Sequence, residues 1–215
     1  MNRKITTVLF FFLLSACMLY AQDVNYQEFG IDIAGGPIPH GLRSGDKAPE
    51  FSGYDQTGAR VQSTKILETG PIVLFFYRGK WCQTGSNYLN DMQDSLNILT
   101  SMGVNVIAIT PESIENVEQT VQLHKLTFKV IYDCQEQIMK DFDVYFNVTR
   151  DYQDKTKKEL SIDIAENNGR DVAHLPVPAT FIIDRQGMIT AVSFDPDYHH
   201  MASVKWIIQN LASAL

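Results

Sequence analysis

The sequence predicts an α/β domain with a central mixed β-sheet and helices on both faces. Two observations carry that expectation. Apolar runs of strand length alternate with stretches of helical spacing, in the order β-α-β-α-β-α-β-β-α. The first strong run, Pro71 to Tyr77, is apolar without alternation, as in a strand covered on both faces. With 215 residues, 45% of them hydrophobic and 11% aromatic, the chain can fill one ordinary core.

Each element has its own signal. After the strand at 71–77, Leu89, Met92, Leu96 and Leu99 recur at helical spacing over 86–101, and Gly103 closes that helix. Val104 to Ile109 reads as the next strand, and Pro111-Glu112-Ser113 opens a helix through Leu123. A third strand covers Thr127 to Tyr132, and a short helix covers 135–142. Residues 147–172 are polar and lack periodicity, so they read as an insertion with one helical piece. Ala179–Asp184 and Met188–Phe194, joined by Arg185-Gln186-Gly187, form a hairpin. A last helix over 199–214 buries Val204, Ile207, Ile208 and Leu211. The parallel strands put the start of each following helix at one sheet edge, where ligands of such folds bind.

The N-terminal end reads as an address. Residues 1–21 have the charged, apolar and small-residue zones of a secretory signal peptide, and the stretch is too diluted by Thr6, Thr7 and Ser15 for a membrane span. Cleavage after Ala21 would release a protein starting at Gln22; the competing reading is a lipobox, Leu14-Ser15-Ala16-Cys17, with lipid on Cys17 and membrane attachment through it. The apolar Met18-Leu19-Tyr20 after Cys17 favours release. Either route exports the domain, to a bacterial periplasm or cell envelope. Residues 22–44, rich in Gly and Pro, read as a tether and irregular lead-in, and the domain itself as 45–215.

Charge and cysteine content narrow the function classes. Eighteen Lys and Arg against 25 Asp and Glu give a net charge of −7, and loss of Arg3 and Lys4 with the leader makes it −9. No basic block is present to neutralise phosphates, which excludes nucleic acid as the expected partner. Three Cys are too few for a disulfide framework, and Cys82 and Cys134 are the thiols left after cleavage.

Cys82 lies five residues after the buried strand and just before the helix. Free backbone N–H groups, the positive helix end, and the nearby Arg78 and Lys80 should favour its thiolate and make it a nucleophile. The competing reading is an inert buried Cys. Trp81 can be core filler or a wall of the site.

Phe76-Tyr77-Arg78-Gly79-Lys80-Trp81-Cys82, Leu175-Pro176-Val177-Pro178-Ala179-Thr180-Phe181, and Asp195-Pro196-Asp197-Tyr198, in this order, resemble the peroxiredoxin-like branch of the alkyl hydroperoxide reductase/thiol-specific antioxidant family over about residues 42–215. The resemblance implies a thioredoxin-like fold, thiol chemistry at Cys82 without a cofactor, and a cis bond before Pro178 that brings backbone beside Cys82. It implies disulfide or hydroperoxide substrates and a thioredoxin-like or other external thiol as reductant. Two departures bear on mechanism. Cys-x-x-Cys is here Cys82-Gln83-Thr84-Gly85, so Gly85 stands where the second thiol would be. Aligned with peroxiredoxins proper, Gly85 falls on the peroxide-attacking Cys and Pro178 on the assisting Arg, so peroxide reduction is expected to be slow. Arg78, Trp81, Gly85, Val177 and Pro178 are the expected surround of Cys82. The alternative is a domain that has lost turnover and holds clients or an assembly partner in a groove formed by Trp81, Cys82 and Val177.

Cys134 follows the third parallel strand and is the internal candidate for resolving a mixed disulfide. Two strand spacings, about 10 Å, exceed the roughly 7 Å Cα reach of a disulfide, which makes an external thiol the favoured resolver. His199-His200 lack further ligands at zinc spacing, so no metal is expected. His174 reads as a surface residue, and Asp197 or Tyr198 as the cap of the last helix.

Overall fold

The computed structural model describes residues 24–215; the leader, with Cys17 and Ala21, lies outside the described residues. In chain order the elements begin with a hairpin, β1 (Ser52–Tyr54) and β2 (Arg60–Gln62), and a short helix α1 (Ser63–Leu67). Then come β3 (Ile72–Phe76), α2 (Gln83–Asp94), α3 (Leu96–Ser101), β4 (Asn105–Thr110), α4 (Ile114–His124), β5 (Lys129–Tyr132) and α5 (Gln137–Asp141). The remainder is β6 (Tyr145–Asn147), α6 (Arg150–Leu160), α7 (Ile164–Asn167), β7 (His174–Pro176), β8 (Ala179–Ile183), β9 (Ile189–Phe194) and α8 (Val204–Asn210), followed by a 3₁₀ turn, Leu211–Ser213.

The central sheet has the order β5-β4-β3-β8-β9, with β3, β4 and β5 parallel and β8 and β9 antiparallel. Alternation along β3 explains its unbroken apolar run. Val73 and Phe75 face the core under α2, α3, α4 and α8, whereas Ile72, Leu74 and Phe76 face a second core with Phe51, Phe142 and Phe181. All five residues of β3 are buried, so both faces need apolar side chains. The thioredoxin-like α/β architecture is therefore present as expected.

Several boundaries differ from the sequence reading. The helix expected over 86–101 starts at Gln83 and breaks at Ser95 (φ −95°, ψ −1°). Leu96 and Leu99 still pack in the same core, so the apolar spacing ran across the break. The last helix begins at Val204, because the Ser203 side chain accepts from the Trp206 N–H at 3.2 Å. Asp197 and Tyr198 do not cap it; Asp197 instead accepts the His199 N–H at 3.0 Å within a separate turn. The insertion holds two helices rather than one, because α6 buries only Tyr152 and Thr156 and so carries almost no apolar stripe.

No peptide bond among the described residues is cis, which corrects the expectation for Pro178. The Val177 N–H donates to the Val144 carbonyl at 2.7 Å, and the extended chain runs from β7 into β8 through a trans bond, the ordinary form for X-Pro. Pro178 itself is buried.

The irregular lead-in packs onto the domain. Ile31 is fully buried, bridges Val148, and joins a third cluster with Phe146, Tyr152, Leu175 and Val177. That cluster carries the insertion, and it abuts the end of β3.

Candidate functional site

The site is built where β3 ends. The chain leaves the strand at Tyr77, turns through Gly79, Lys80 and Trp81, and enters α2 at Cys82. The Cys82 N–H donates to the Gly79 carbonyl at 3.1 Å, which closes the turn, and the Cys82 carbonyl accepts from the Ser86 N–H at 2.9 Å, which starts the helix. Cys82 is the extended residue before the first helical turn (φ −85°, ψ 109°) and is 7% exposed. Its thiol thus belongs to a helix N-terminus, where backbone dipoles favour an anion. Gly79 has φ +142°, and a Cβ there would lie 2.7 Å from Trp81 Nε1 and 2.9 Å from Glu112 Oε1, so only glycine serves.

Arg78 is 1% exposed and has no carboxylate partner among the described residues. Its Nη1 donates to the Tyr152 hydroxyl at 3.0 Å and its Nη2 to the Phe29 carbonyl at 2.9 Å. Its guanidinium carbon lies 4.4 Å from the ring centroid of Tyr198, 5.0 Å from Tyr152, 5.8 Å from Phe146 and 5.9 Å from Trp81. Cation–π contacts of this kind contribute up to about 2 kcal/mol when desolvated, yet they supply no counter-charge. Among the described residues the Arg78 Nε–H has no acceptor.

Tyr198 links this cage to the thiol. Burial and the neighbouring Tyr152 push its hydroxyl up to about 12; Arg78 pulls it down, and a Cys82 anion pushes it up. The Tyr198 hydroxyl therefore stays protonated beside Cys82 and remains a donor at neutral pH.

Glu112, just after β4, lies under the same turn. It is 1% exposed, and burial raises its carboxyl above the usual range although hydrogen bonds from the Lys80 backbone and Asn167, the Lys80 charge, and Thr120 oppose this.

The structure gathers Arg78, Trp81 and Val177 around the turn that carries Cys82. Val177 is completely buried and packs in one cluster with Trp81 and Tyr198, so it is part of the floor and not of an open groove. The open groove lies on the other side of Trp81: about 680 Å³, lined by Lys80, Trp81, Gln119, Gln122, Leu123 and Ile162. Gly85 is buried in the first turn of α2, and a Cβ built on it would stand 3.9 Å from the Cys82 Cβ. Cys134 is exposed beyond β5 and lines a cavity of about 530 Å³ with Phe51, Tyr54 and Arg60. Both thiols are free.

His174 is not a plain surface residue: its Nδ1 lies 2.9 Å from Glu136 Oε1. Among the described residues, no group of three or more His, Cys, Asp or Glu is arranged to hold a metal ion, and no helix is long and apolar enough to cross a membrane. Sequence reasoning missed Glu112, Tyr152, Phe146 and Phe29. Only Glu112 had a local signal, a carboxylate placed directly after a buried strand at the ligand edge; Phe29 reaches the site from the lead-in, Phe146 from β6 and Tyr152 from the insertion.

A helix-capping Cys behind the central strand of a β5-β4-β3-β8-β9 sheet defines a thioredoxin-fold thiol protein. The AhpC/TSA family model matches residues 44–192, most of the chain, and the protein belongs to that family. Peroxiredoxin Bcp of Escherichia coli (strain K12) is 24% identical over 168 residues, covering 77% of this chain and 96% of that protein. Thiol-disulfide oxidoreductase ResA of Geobacillus thermodenitrificans is 25% identical over 167 residues, covering 75% and 78%. Among solved structures, peroxidoxin BcpB of Mycobacterium tuberculosis superposes with a TM-score of 0.60 at 18% identity, covering 80% of this chain and 96% of that one. The chain thus belongs to a family of redox enzymes that includes peroxiredoxins and resembles thiol-disulfide oxidoreductases.

Proposed function

We propose that this protein is an exported thiol-dependent oxidoreductase that works through Cys82 as its only reacting thiol. One observation carries the reading. Among the described residues, four buried side-chain polar atoms lack a hydrogen-bond partner, and three of them, Tyr77 Oη, Arg78 Nε and Trp81 Nε1, belong to the segment leading into Cys82. Native interiors pair such groups unless they are kept for a function, and an unpaired buried cation is costlier still. Of these groups Arg78 is the one tied to the thiol, through Tyr198, whose ring lies 4.4 Å from the guanidinium carbon and whose hydroxyl a Cys82 anion pushes up, whereas Tyr77 and Trp81 turn their donors toward Glu112. An anion beside Cys82, first the thiolate and then the leaving group, supplies the counter-charge that this buried cation lacks among the described residues.

With a disulfide, the Cys82 thiolate attacks one sulfur, a new S–S bond joins Cys82 to that half, and the other half leaves as thiolate. An external thiol then attacks the mixed disulfide, freeing Cys82 and leaving with the bound half as a disulfide. With a hydroperoxide, the thiolate takes the distal oxygen and a proton is consumed, giving Cys82 sulfenic acid and an alcohol; one external thiol condenses with loss of water, and a second releases Cys82. Gly85 cannot supply a thiol and Cys134 lies beyond another strand, so the reductant is external, a small thiol or a thioredoxin-like protein. A yeast mitochondrial 1-Cys peroxiredoxin with the same fold is described as resolving its thiol through glutathione/thioredoxin systems. Export rests on the zones of residues 1–21.

The reading is tested by following reduction of a small disulfide and of hydrogen peroxide with glutathione or thioredoxin as donor. Turnover of the disulfide that vanishes in Cys82→Ser supports it, as does slow sulfenate formation with peroxide. Fast peroxide turnover would move the activity to peroxidase. Absence of both would favour a domain that holds a partner without turnover, the reading to which the missing second thiol points.

A further inference from the structure

The turn before Cys82 is held from two sides through one residue, Lys80. The Lys80 N–H donates to Glu112 Oε1 at 3.0 Å, and the Lys80 carbonyl accepts from the Ser86 hydroxyl at 2.9 Å. Glu112 comes from just after β4 and Ser86 from the first turns of α2, so the position of Lys80 and Trp81 depends on one group 32 positions away as well as on a local one. Around the carboxylate stand Asn167 from α7, donating from Nδ2 to Oε1 at 3.3 Å, and Thr120 from α4, donating to Oε2 at 3.4 Å. Tyr77, just after β3, lies beside it, and Lys80 is the charged group that faces it. The Tyr77 hydroxyl and Trp81 N–H, both donors close to this carboxylate, have no partner. The Lys80 N–H and Asn167 Nδ2 donate to this carboxylate and the Lys80 charge favours its ionised form, while the Thr120 hydroxyl, which also donates to the Asn116 carbonyl at 2.8 Å, can serve as donor or acceptor.

We propose that Glu112 is a positioning residue for Cys82: as a carboxylate it fixes the Gly79-Lys80-Trp81 turn and keeps the thiol aligned for attack, and protonation loosens that turn. The inference rests on the reading of Cys82 as the reacting thiol, and it adds a group that neither touches substrate nor exchanges its own proton with it. Burial raises the Glu112 carboxyl, so the change of state falls at a less acidic pH than for a free side chain. On acidification Glu112 takes up a proton, the acceptor at Lys80 weakens, and Trp81 is freed to shift.

The test is the rate of Cys82 alkylation by iodoacetamide in the full protein, in the Cys134→Ser background, as a function of pH, for wild type and Glu112→Gln. Gln keeps an oxygen for the Lys80 N–H but cannot ionise, so it stands in for the protonated state. The ratio of wild-type to variant rates is expected to climb from about one in acid to roughly tenfold near neutrality, the scale on which misplacement of a reacting group acts. A purely structural role gives a ratio that does not change with pH, and that result overturns the proposal. Should Glu112→Gln fail to fold, the pH titration of Trp81 fluorescence in Trp206→Phe decides: a transition before acid unfolding supports the proposal and its absence overturns it. Because alkylation needs no turnover, a climbing ratio in a protein without disulfide reduction would sink the oxidoreductase reading and leave this one standing.

Discussion

Cys82 and Cys134 occupy parallel positions, each beyond the end of a strand of the same parallel set and before a helix, yet their surroundings are built on opposite principles. Around Cys134 the polar groups are satisfied. The buried Asp133 carboxylate accepts the Met139 N–H at 2.8 Å at the start of α5, and Glu136 pairs with His174 at 2.9 Å and Lys140 at 3.4 Å. The thiol itself is exposed. Around Cys82 the thiol is covered, and among the described residues the Arg78 cation has no carboxylate partner and three polar atoms of residues 77–81 lack partners. If Cys82 is the reacting thiol, as proposed, the contrast means that position in the fold alone does not select it; the surroundings differ in whether the polar groups are already paired with each other.

The sharpest way to break the comparison is to exchange each thiol for a hydroxyl. Cys82→Ser should reduce disulfide turnover to background, whereas Cys134→Ser should keep it within about twofold, since removing a nucleophile removes the covalent route outright. Equal losses in the two variants would return Cys134 to the role of resolving thiol.

Next in size is Gly85→Cys. The built Cβ lies 3.9 Å from the Cys82 Cβ, inside the disulfide range, and nothing stands closer than the 3.8 Å of Gly79 O and Tyr77 Cβ. The variant should form an 82–85 bridge, seen as the loss of two alkylatable thiols by mass spectrometry, and dithiol-driven reduction of insulin should rise above wild type. A bridge without a gain in turnover would mean that the pocket binds rather than reacts.

Arg78→Met keeps much of the volume and removes the charge. If the cation serves an anion on Cys82, alkylation at pH 7 should slow by about tenfold, equivalent to about 1.4 kcal/mol, and Arg78→Lys should recover part of it. Unchanged alkylation in Arg78→Met would make the aromatic cage a packing device only.

The smallest expected effect concerns the satisfied end. Burial pushes the Glu136 carboxyl up, but the hydrogen bond from His174 and the charges of His174, Lys140 and Arg170 outweigh it and hold it below the ordinary carboxylate range. A depressed folded value contributes stability that is present above the unfolded value and lost as pH falls through the folded one. Chemical denaturation from pH 6 down to 3 should therefore show a decline that is shallower in Glu136→Gln, while the Cys82 alkylation rate at pH 7 stays unchanged.

The sequence by itself determined the sheet strands, the helices that cover them and the helix-capping place of Cys82, because these rest on local periodicity and on short-range chain geometry. The run at 71–77 could be nothing but a two-sided strand, and a Cys between it and a helix could fall only at the ligand edge. Elements with weak local signals escaped: β1, β2, β6 and β7 are three residues each, and α6 buries two side chains. The surround of Cys82 was legible only where it is contiguous, at Arg78, Trp81 and Gly85. The cage around Arg78 draws Phe29 from the lead-in, Phe146 from β6, Tyr152 from the insertion, and Tyr198 from the turn before α8, and Glu112 reaches Lys80 from the loop after β4. Those contacts join residues 32 to 120 positions apart, and burial of one charged or polar group against another at such separations is decided by packing, which no local pattern encodes.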